Sequence, residues 1–484
     1  MTAAAFIANS SVSSRISVSA PAAPSTEPSA GTPGLAPPLA VVGRDVRVPL
    51  VTGGDIEYAA LDYAASAPCL QRVWDDVAAY LPFYGSVHRG AGYLSQLSTD
   101  LYESSRATVA AYLDVRPDDQ VLFTRGTTDS LNLLASVLPY GTRVFVFETE
   151  HHAALLPWRR ADRVTRLPAP TDHAGAVAAL DAALAADAGD GPRLVCVTGA
   201  SNVTGELFPV ADLARVAHRH GARIVLDAAQ LAPHHPVSVT GLDVDWVAFS
   251  GHKLYAPFGA GVLAGRADWL ADAEPYLAGG GASKSVTADS VEWNDGPARH
   301  EAGSPNVIGA YAIASACRAL TEAGPAVLAA REEALAARLR DGLAQVPEVR
   351  TLELFGPESP RVAVVSFVVD GWNSSRFAAA LSAEYGIGVR DGLFCAHPLV
   401  RRLLGARTDA PAECGAPDAP TGEQNLNAIR VSFGAGTPDE HIDRFLAAVR
   451  ELVRRGARWS YRTDGGRCVP DADPRGPVAA AGVR

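Results

Sequence analysis

The stretch Val247-Ala248-Phe249-Ser250-Gly251-His252-Lys253-Leu254-Tyr255 decides how the rest of the chain reads. Trp246 to Phe249 is a short apolar run of the kind that forms a buried strand, and it ends on small polar residues. A lysine follows directly, set among Ser250, Gly251 and His252. Lysine is scarce here, because nearly all of the 42 Lys plus Arg residues are Arg. An amine at the end of a buried strand has its pKa lowered by desolvation and becomes a nucleophile. Taken alone, such a stretch is more often a surface-loop lysine, so its reading turns on its company.

Upstream, Arg223-Ile224-Val225-Leu226-Asp227-Ala228-Ala229-Gln230 is a second apolar run ending in an acid. A carboxylate at the end of a buried strand is costly unless a cation meets it. Pyridoxal phosphate answers both features: its aldehyde takes a lysine amine, and its ring nitrogen needs a carboxylate to stay protonated. Lys253 and Asp227 are therefore a candidate pair for that cofactor.

The same pattern repeats across residues 120–265. Val121-Leu122-Phe123 runs into Thr124-Arg125-Gly126-Thr127-Thr128, which opens a helix whose free N–H groups and hydroxyls suit a phosphate, or which Thr127 or Thr128 merely caps. Arg143–Phe147 leads to Glu150-His151-His152, and 194–198 leads to Ser201-Asn202-Val203. Strands alternating with helices predict a mostly parallel sheet covered on both faces, with the polar motifs at its carboxyl edge, where ligands bind. From 326 onward, helices 326–346 and 375–385 and strands 350–355 and 361–369 predict a smaller α+β domain. Most of Pro398 to Asn427 reads as an irregular loop.

Length and composition bound the rest. At 484 residues the chain holds two or three domains, and 48% hydrophobic with 20% charged residues is ordinary for a globular enzyme. A net charge of −11 without a basic stripe argues against a nucleic-acid surface. No run reaches 18 apolar residues, so no membrane span is expected. Cys69, Cys196, Cys317, Cys395, Cys414 and Cys468 lack CxxC spacing, which reads as free thiols in a reducing cytoplasm with no metal site. The expected division is a disordered tail over 1–45, a cofactor-binding domain over 46–325 whose N-terminal segment contributes to the small domain, a small domain over 326–458 and a flexible tail over 459–484.

Taken together, Leu61-Asp62-Tyr63-Ala64-Ala65, Val87-His88-Arg89-Gly90, Arg125-Gly126-Thr127-Thr128, Glu150-His151-His152, Ser201-Asn202-Val203-x-Gly205, Asp227-x-x-Gln230, Ser250-Gly251-His252-Lys253 and Glu301-Ala302-Gly303-Ser304-Pro305-Asn306 resemble the class V aminotransferase-like enzymes, closest to group II cysteine desulfurases and selenocysteine lyase. The resemblance covers roughly residues 55–455. It implies the fold type I architecture of pyridoxal phosphate-dependent transferases, with a seven-stranded type of large-domain sheet, and a homodimer.

It also implies roles. Lys253 would form the Schiff base, Asp227 would meet the ring nitrogen, Gln230 the phenolate oxygen, and His151 would stack on the ring and share in catalysis. Thr127, Thr128, Ser250 and His252 would hold the phosphate, joined by Ser304 from the partner subunit. Asn202 would sit near the phenolate. Arg430 would clamp the substrate carboxylate, with Arg390 and His88 also on the substrate side. Cys395, in Arg390-Asp391-Gly392-Leu393-Phe394-Cys395-Ala396, would be the nucleophile that takes sulfur from L-cysteine, leaving alanine and a persulfide for a sulfur acceptor protein. Arg390 nearby would favour its thiolate. Two features depart from the group: Leu393 and Phe394 stand where it usually carries histidines, and the segment from Cys395 to Arg430 is about 20 residues longer than the group's pattern. A transaminase, C–S lyase or epimerase acting on another amino acid is the alternative, and a catalytically silent scaffold or sulfur-carrier partner is a third reading.

Overall fold

The computed structural model describes residues 36–88, 90–405 and 427–476. Its larger sheet has strands β1 (Asp119–Thr124), β2 (Arg143–Phe147), β3 (Arg163–Leu167), β4 (Arg193–Thr198), β5 (Arg223–Asp227), β6 (Trp246–Ser250) and β7 (Gly261–Arg266), in the order β1-β7-β6-β5-β4-β2-β3. Residues of β2 and β6 are buried throughout, and β4 and β5 at all but their first positions. That burial on both faces is why these strands read as continuous apolar runs rather than alternating ones.

Neighbouring strands run parallel except β7, which pairs antiparallel with both β1 and β6. The mostly parallel sheet expected from the sequence is therefore observed with one reversed strand. The reversal has a local use. Gly261 at the start of β7 lies opposite Thr124 and Ser250, the last residues of β1 and β6. A Cβ on Gly261 would sit 2.4 Å from the Cα of Gly126. Glycine thus lets the turn after β1 press onto the sheet and aim the following helix over the edge that carries Lys253. Helices α1 (Tyr93–Tyr112) and α2 (Thr127–Ser136) flank β1, and the short α3 (His152–Leu155) follows β2.

Glu301, just before α4 (Val307–Ala323), ties this region together. It accepts from Tyr102 Oη at 2.8 Å, Arg106 Nη1 at 2.8 Å, Arg106 Nη2 at 2.9 Å and the Phe123 N–H at 2.7 Å. Removing one partner of a buried ion pair costs about 3 kcal/mol or more. Glu301→Ala is accordingly expected to lower stability by about 3 kcal/mol, measured as a shifted denaturant midpoint at unchanged slope. An unshifted midpoint would mean that this cluster adds nothing to the fold.

The second sheet has β8 (Val349–Thr351), β9 (Val364–Val369), β10 (Arg390–Gly392) and β11 (Ala428–Ser432), in the order β8-β9-β11-β10, all antiparallel. Two strands are shorter than the sequence pattern predicts. The N–H groups of Leu354 and Phe355 go to the Glu206 carboxylate, both at 2.7 Å, and the Val362 N–H goes to the Gly205 carbonyl at 2.9 Å. The loop between β8 and β9 is thus captured by the segment after β4 instead of extending the ladder. Helix α5 (Ser374–Tyr385) leads back toward β10.

Three expectations change. Helix α6 (His397–Leu404) occupies the start of the predicted irregular segment, whose residues 406–426, Cys414 among them, lie outside the described residues. The segment after 458 is not a loose tail where described: strands β12 (Tyr461–Asp464) and β13 (Arg467–Pro470) form a hairpin. Buried Glu384 on α5 accepts from the Arg458 N–H at 3.0 Å, the Trp459 N–H at 3.2 Å and Tyr461 Oη at 2.8 Å. Likewise residues 36–45 are bound, with Leu39 N–H on the Ala435 carbonyl at 2.8 Å and Arg331 Nε on the Ala36 carbonyl at 2.8 Å. Such segments build no core of their own, but their backbone groups pair with one built by others. Residues 1–35 lie outside the described residues.

Cys69, Cys196, Cys317 and Cys395 are free thiols, as expected, but Cys468 is disulfide-bonded, a pairing that cysteine spacing gives no sign of. Among the described residues no helix is long and apolar enough to cross a membrane, and no cluster of His, Cys, Asp and Glu could hold a metal ion.

Candidate active site

A cavity of about 230 Å³ opens at the carboxyl edge of the large sheet, against the β10–β11 edge of the small one. Twelve of the fourteen residues expected to form the site line it: Thr127, Thr128, His151, Asn202, Asp227, Gln230, Ser250, His252, Lys253, Arg390, Cys395 and Arg430. His88 and Ser304 do not. His88 is exposed, with Nε2 2.9 Å from Glu103 Oε1, and Ser304 lies exposed in the turn before α4.

Most of these side chains sit at or just beyond a strand end. Asp227 closes β5, is 3% exposed, and accepts the Ala229 N–H at 2.9 Å. Burial pushes its carboxyl above the usual range, opposed by that N–H and by the charge on Lys253. Gln230, one turn on, donates from Nε2 to the Ala64 carbonyl at 2.7 Å. Lys253 follows β6, and burial draws its amine down to about 8, with Asp227 opposing the shift and Arg430 adding to it. Near neutral pH an appreciable fraction of that amine is unprotonated, which an ordinary lysine does not offer.

His151 caps α3 by accepting the Ala153 N–H on Nδ1 at 3.0 Å. The neutral ring therefore carries its proton on Nε2. Burial draws its pKa down to about 3, helped by the positive charges of Lys253, His152 and Arg430, so the imidazole is uncharged at any physiological pH. Burial and Lys253 lower His252 as well.

The phosphate-sized end of the cavity is built by α2 and β6. The N-cap of α2, Gly126, has no side chain to close the helix start, and the first N–H, that of Thr127, is met from β6 instead. Ser250 Oγ accepts from the Thr127 N–H at 2.8 Å and lies 2.7 Å from Thr127 Oγ1. An uncapped helix start with three hydroxyls, a neutral imidazole, a buried acid and a buried amine is a donor set that fits pyridoxal phosphate.

The opposite wall was less legible. Arg430 on β11 is 3% exposed; its Nη2 donates to Asp62 Oδ1 at 2.8 Å and its Nη1 to the Asn202 carbonyl at 3.0 Å. Two of five guanidinium donors are thus used, and Nε has no partner. The guanidinium lies over the Phe394 ring, 5.0 Å from its centroid. Phe394 and Cys395 both have left-handed backbone, φ 50° and 53°, which costs about 1–2 kcal/mol per residue outside glycine. Hydrogen bonds fix that turn: Asn202 Nδ2 donates to the Phe394 carbonyl at 2.7 Å, and the His152 N–H to the Cys395 carbonyl at 2.8 Å. Asp62 and Phe394 were not anticipated in these roles. Asp62 lies in a quoted motif, but only the fold brings it to an arginine 368 positions away.

The Aminotransferase class-V family model matches residues 59–445. A probable cysteine desulfurase of Vibrio cholerae is 33% identical over 417 residues, spanning 84% of this chain and 95% of its own length. One from Halobacterium salinarum is 37% identical over 415 residues, spanning 83% and 92%. The solved apo structure of the cysteine desulfurase from Thermococcus onnurineus gives a TM-score of 0.71 at 31% identity, covering 82% of this chain and 95% of that one. With the match running across both sheets and every strand that ends on the cavity, the chain belongs to the aminotransferase class-V family, in its cysteine desulfurase-like group.

Proposed function

We propose that this enzyme removes sulfur from L-cysteine with pyridoxal phosphate as cofactor, giving alanine and a persulfide on Cys395. The observation that carries the reading is the convergence of Lys253, Asp227, Arg430 and Cys395 on one cavity. When bound, pyridoxal phosphate supplies an electron sink beside the amino acid's α-carbon. Lys253 would hold it, with Asp227 at its ring nitrogen, Gln230 and Asn202 on the phenolate side, and His151 against the ring. The start of α2 with Thr127, Thr128, Ser250 and His252 would take the phosphate.

The chain's own groups divide the work. Arg430 has three donors left for the substrate carboxylate, and the Phe394 ring and Asp62 keep its plane fixed. Arg390, directly opposite Arg430 on β10, adds a second positive charge at the mouth. Lys253, partly neutral, moves the α-proton. Cys395 sulfur then bonds to the substrate sulfur as the substrate C–S bond breaks, so cysteine plus thiol gives alanine plus persulfide with no added oxidant. Release to an acceptor protein or to a reductant restores the thiol.

The two sheets support a cofactor-binding domain over 46–325 and a small domain over 326–458. Exposed Trp74, Phe83, Tyr84 and Tyr93 support a homodimer, in which Ser304 and His88 would serve across the interface. We infer a cytoplasmic enzyme.

The test is product analysis of L-cysteine incubated with enzyme and dithiothreitol. Equimolar alanine and sulfide are expected; a keto acid, or no turnover by a cofactor-loaded protein, would turn the reading to a transaminase or to another amino acid. Arg430→Lys keeps the charge but loses the fork, and kcat/KM for L-cysteine is expected to fall by about 100-fold, mainly through KM. A change confined to kcat would remove Arg430 from carboxylate binding.

A further inference from the structure

Glu150, in the turn after β2, is fully buried and takes no part in the reaction proposed above. Its Oε1 accepts the Thr198 N–H at 3.2 Å, and its Oε2 has no hydrogen-bond partner. Thr198 stands opposite Asp227 in the register of β4 and β5. Glu150 therefore reaches the end of β4, the strand that separates β2 from β5, and bonds the residue paired with Asp227. The groups that face Glu150 are the Asp227 carboxyl from β5, the Cys196 thiol from β4 and the Thr198 backbone, and the charge acting on it is that of Asp227, of the same sign.

Neighbouring buried carboxyls do not both ionise. Asp227 is the better supported anion, with the Ala229 N–H at 2.9 Å and the charge of Lys253 to hold it. Glu150 has a single backbone donor at longer range and an oxygen with nothing beside it. Burial and Asp227 push its carboxyl well above the ordinary range, further than burial pushes Asp227.

We propose that Glu150 is a neutral carboxylic acid in the folded protein and a positioning residue for Asp227, its lack of charge leaving Asp227 as the anion that meets the cofactor's ring nitrogen. The purpose rests on the pyridoxal phosphate reading; the protonation state belongs to the protein alone. A glutamate kept neutral keeps the neighbouring aspartate charged without a second negative charge in the core.

Infrared difference spectroscopy of full-length wild-type and Glu150→Gln proteins at neutral pH tests the protonation. A carbonyl stretch of an un-ionised carboxylic acid, shifted in deuterium oxide and missing from Glu150→Gln, is expected; its absence from the wild type overturns the proposal. Positioning is read from pyridoxal phosphate affinity and from the pH midpoint of the bound cofactor's absorbance. Glu150→Ala, which removes the acceptor of the Thr198 N–H beside Asp227, is expected to weaken affinity about tenfold and move the midpoint by about one pH unit, with Glu150→Gln, which keeps an uncharged acceptor there, close to wild type on both. If Glu150→Ala lowers the melting temperature but moves neither, Glu150 is purely structural and the positioning role falls. If Glu150→Gln moves both as far as Glu150→Ala does, the neutral form is not the working one and the proposal is overturned. Failure of the wild type itself to bind pyridoxal phosphate would count against the proposed function and the positioning role, while the infrared band would still decide the charge on Glu150.

Discussion

Lys253→Ala is expected to lower turnover of L-cysteine by at least about 10,000-fold and to leave no cofactor attached to the chain after borohydride reduction. The size follows from two losses at one atom: the amine that would hold the cofactor and the base that would move the α-proton. No neighbour can stand in. The chain has one other lysine, Lys284, which is exposed and held by Glu292 at 2.6 Å. Lys253 owes its lowered amine pKa, about 8, to burial at the end of β6, a setting that a surface amine does not share. Peptide mapping after reduction is the measurement. A cofactor-labelled peptide from the variant would remove Lys253 from the assigned role.

Cys395→Ala should abolish sulfide release, by about 1,000-fold or more, while the absorbance of bound cofactor stays as in the wild type. The free thiols elsewhere cannot replace it. Burial pushes Cys69 up to about 11, and Cys196 and Cys317 lie fully inside with their thiols raised as well. Cys395 alone among the described free cysteines is exposed, and it lines the cavity. Sulfide formed at the wild-type rate by the variant would mean that sulfur leaves without a chain thiol, and the enzyme would then be a C–S lyase.

Much of the site was legible because strand ends write themselves into sequence. A run such as Ile224–Leu226 followed by Asp227, or Trp246–Phe249 followed by Lys253, announces both the buried strand and the functional residue at its edge. The wall formed by Asp62, Phe394 and Arg430 was only partly legible, because its contacts join three distant segments and one of them is a ring over a guanidinium. The reversed direction of β7 left no trace either, since a fully buried strand has the same apolar run in either sense. Nor could spacing tell that Glu206 would pull Leu354 and Phe355 out of the β8–β9 ladder, which depends on a tertiary acceptor. His88 and Ser304 fall outside the cavity of the single chain.

The family match stops at residue 445, yet Glu384 is satisfied by donors from residues 458, 459 and 461. A truncation drawn at the end of the family match would strip three donors from a buried carboxylate at the end of the helix that feeds β10 and, beyond it, the Cys395 turn. The limit of the family match and the limit of the folding unit therefore differ in this protein. An expression boundary chosen by alignment would cut through the support of its own nucleophile.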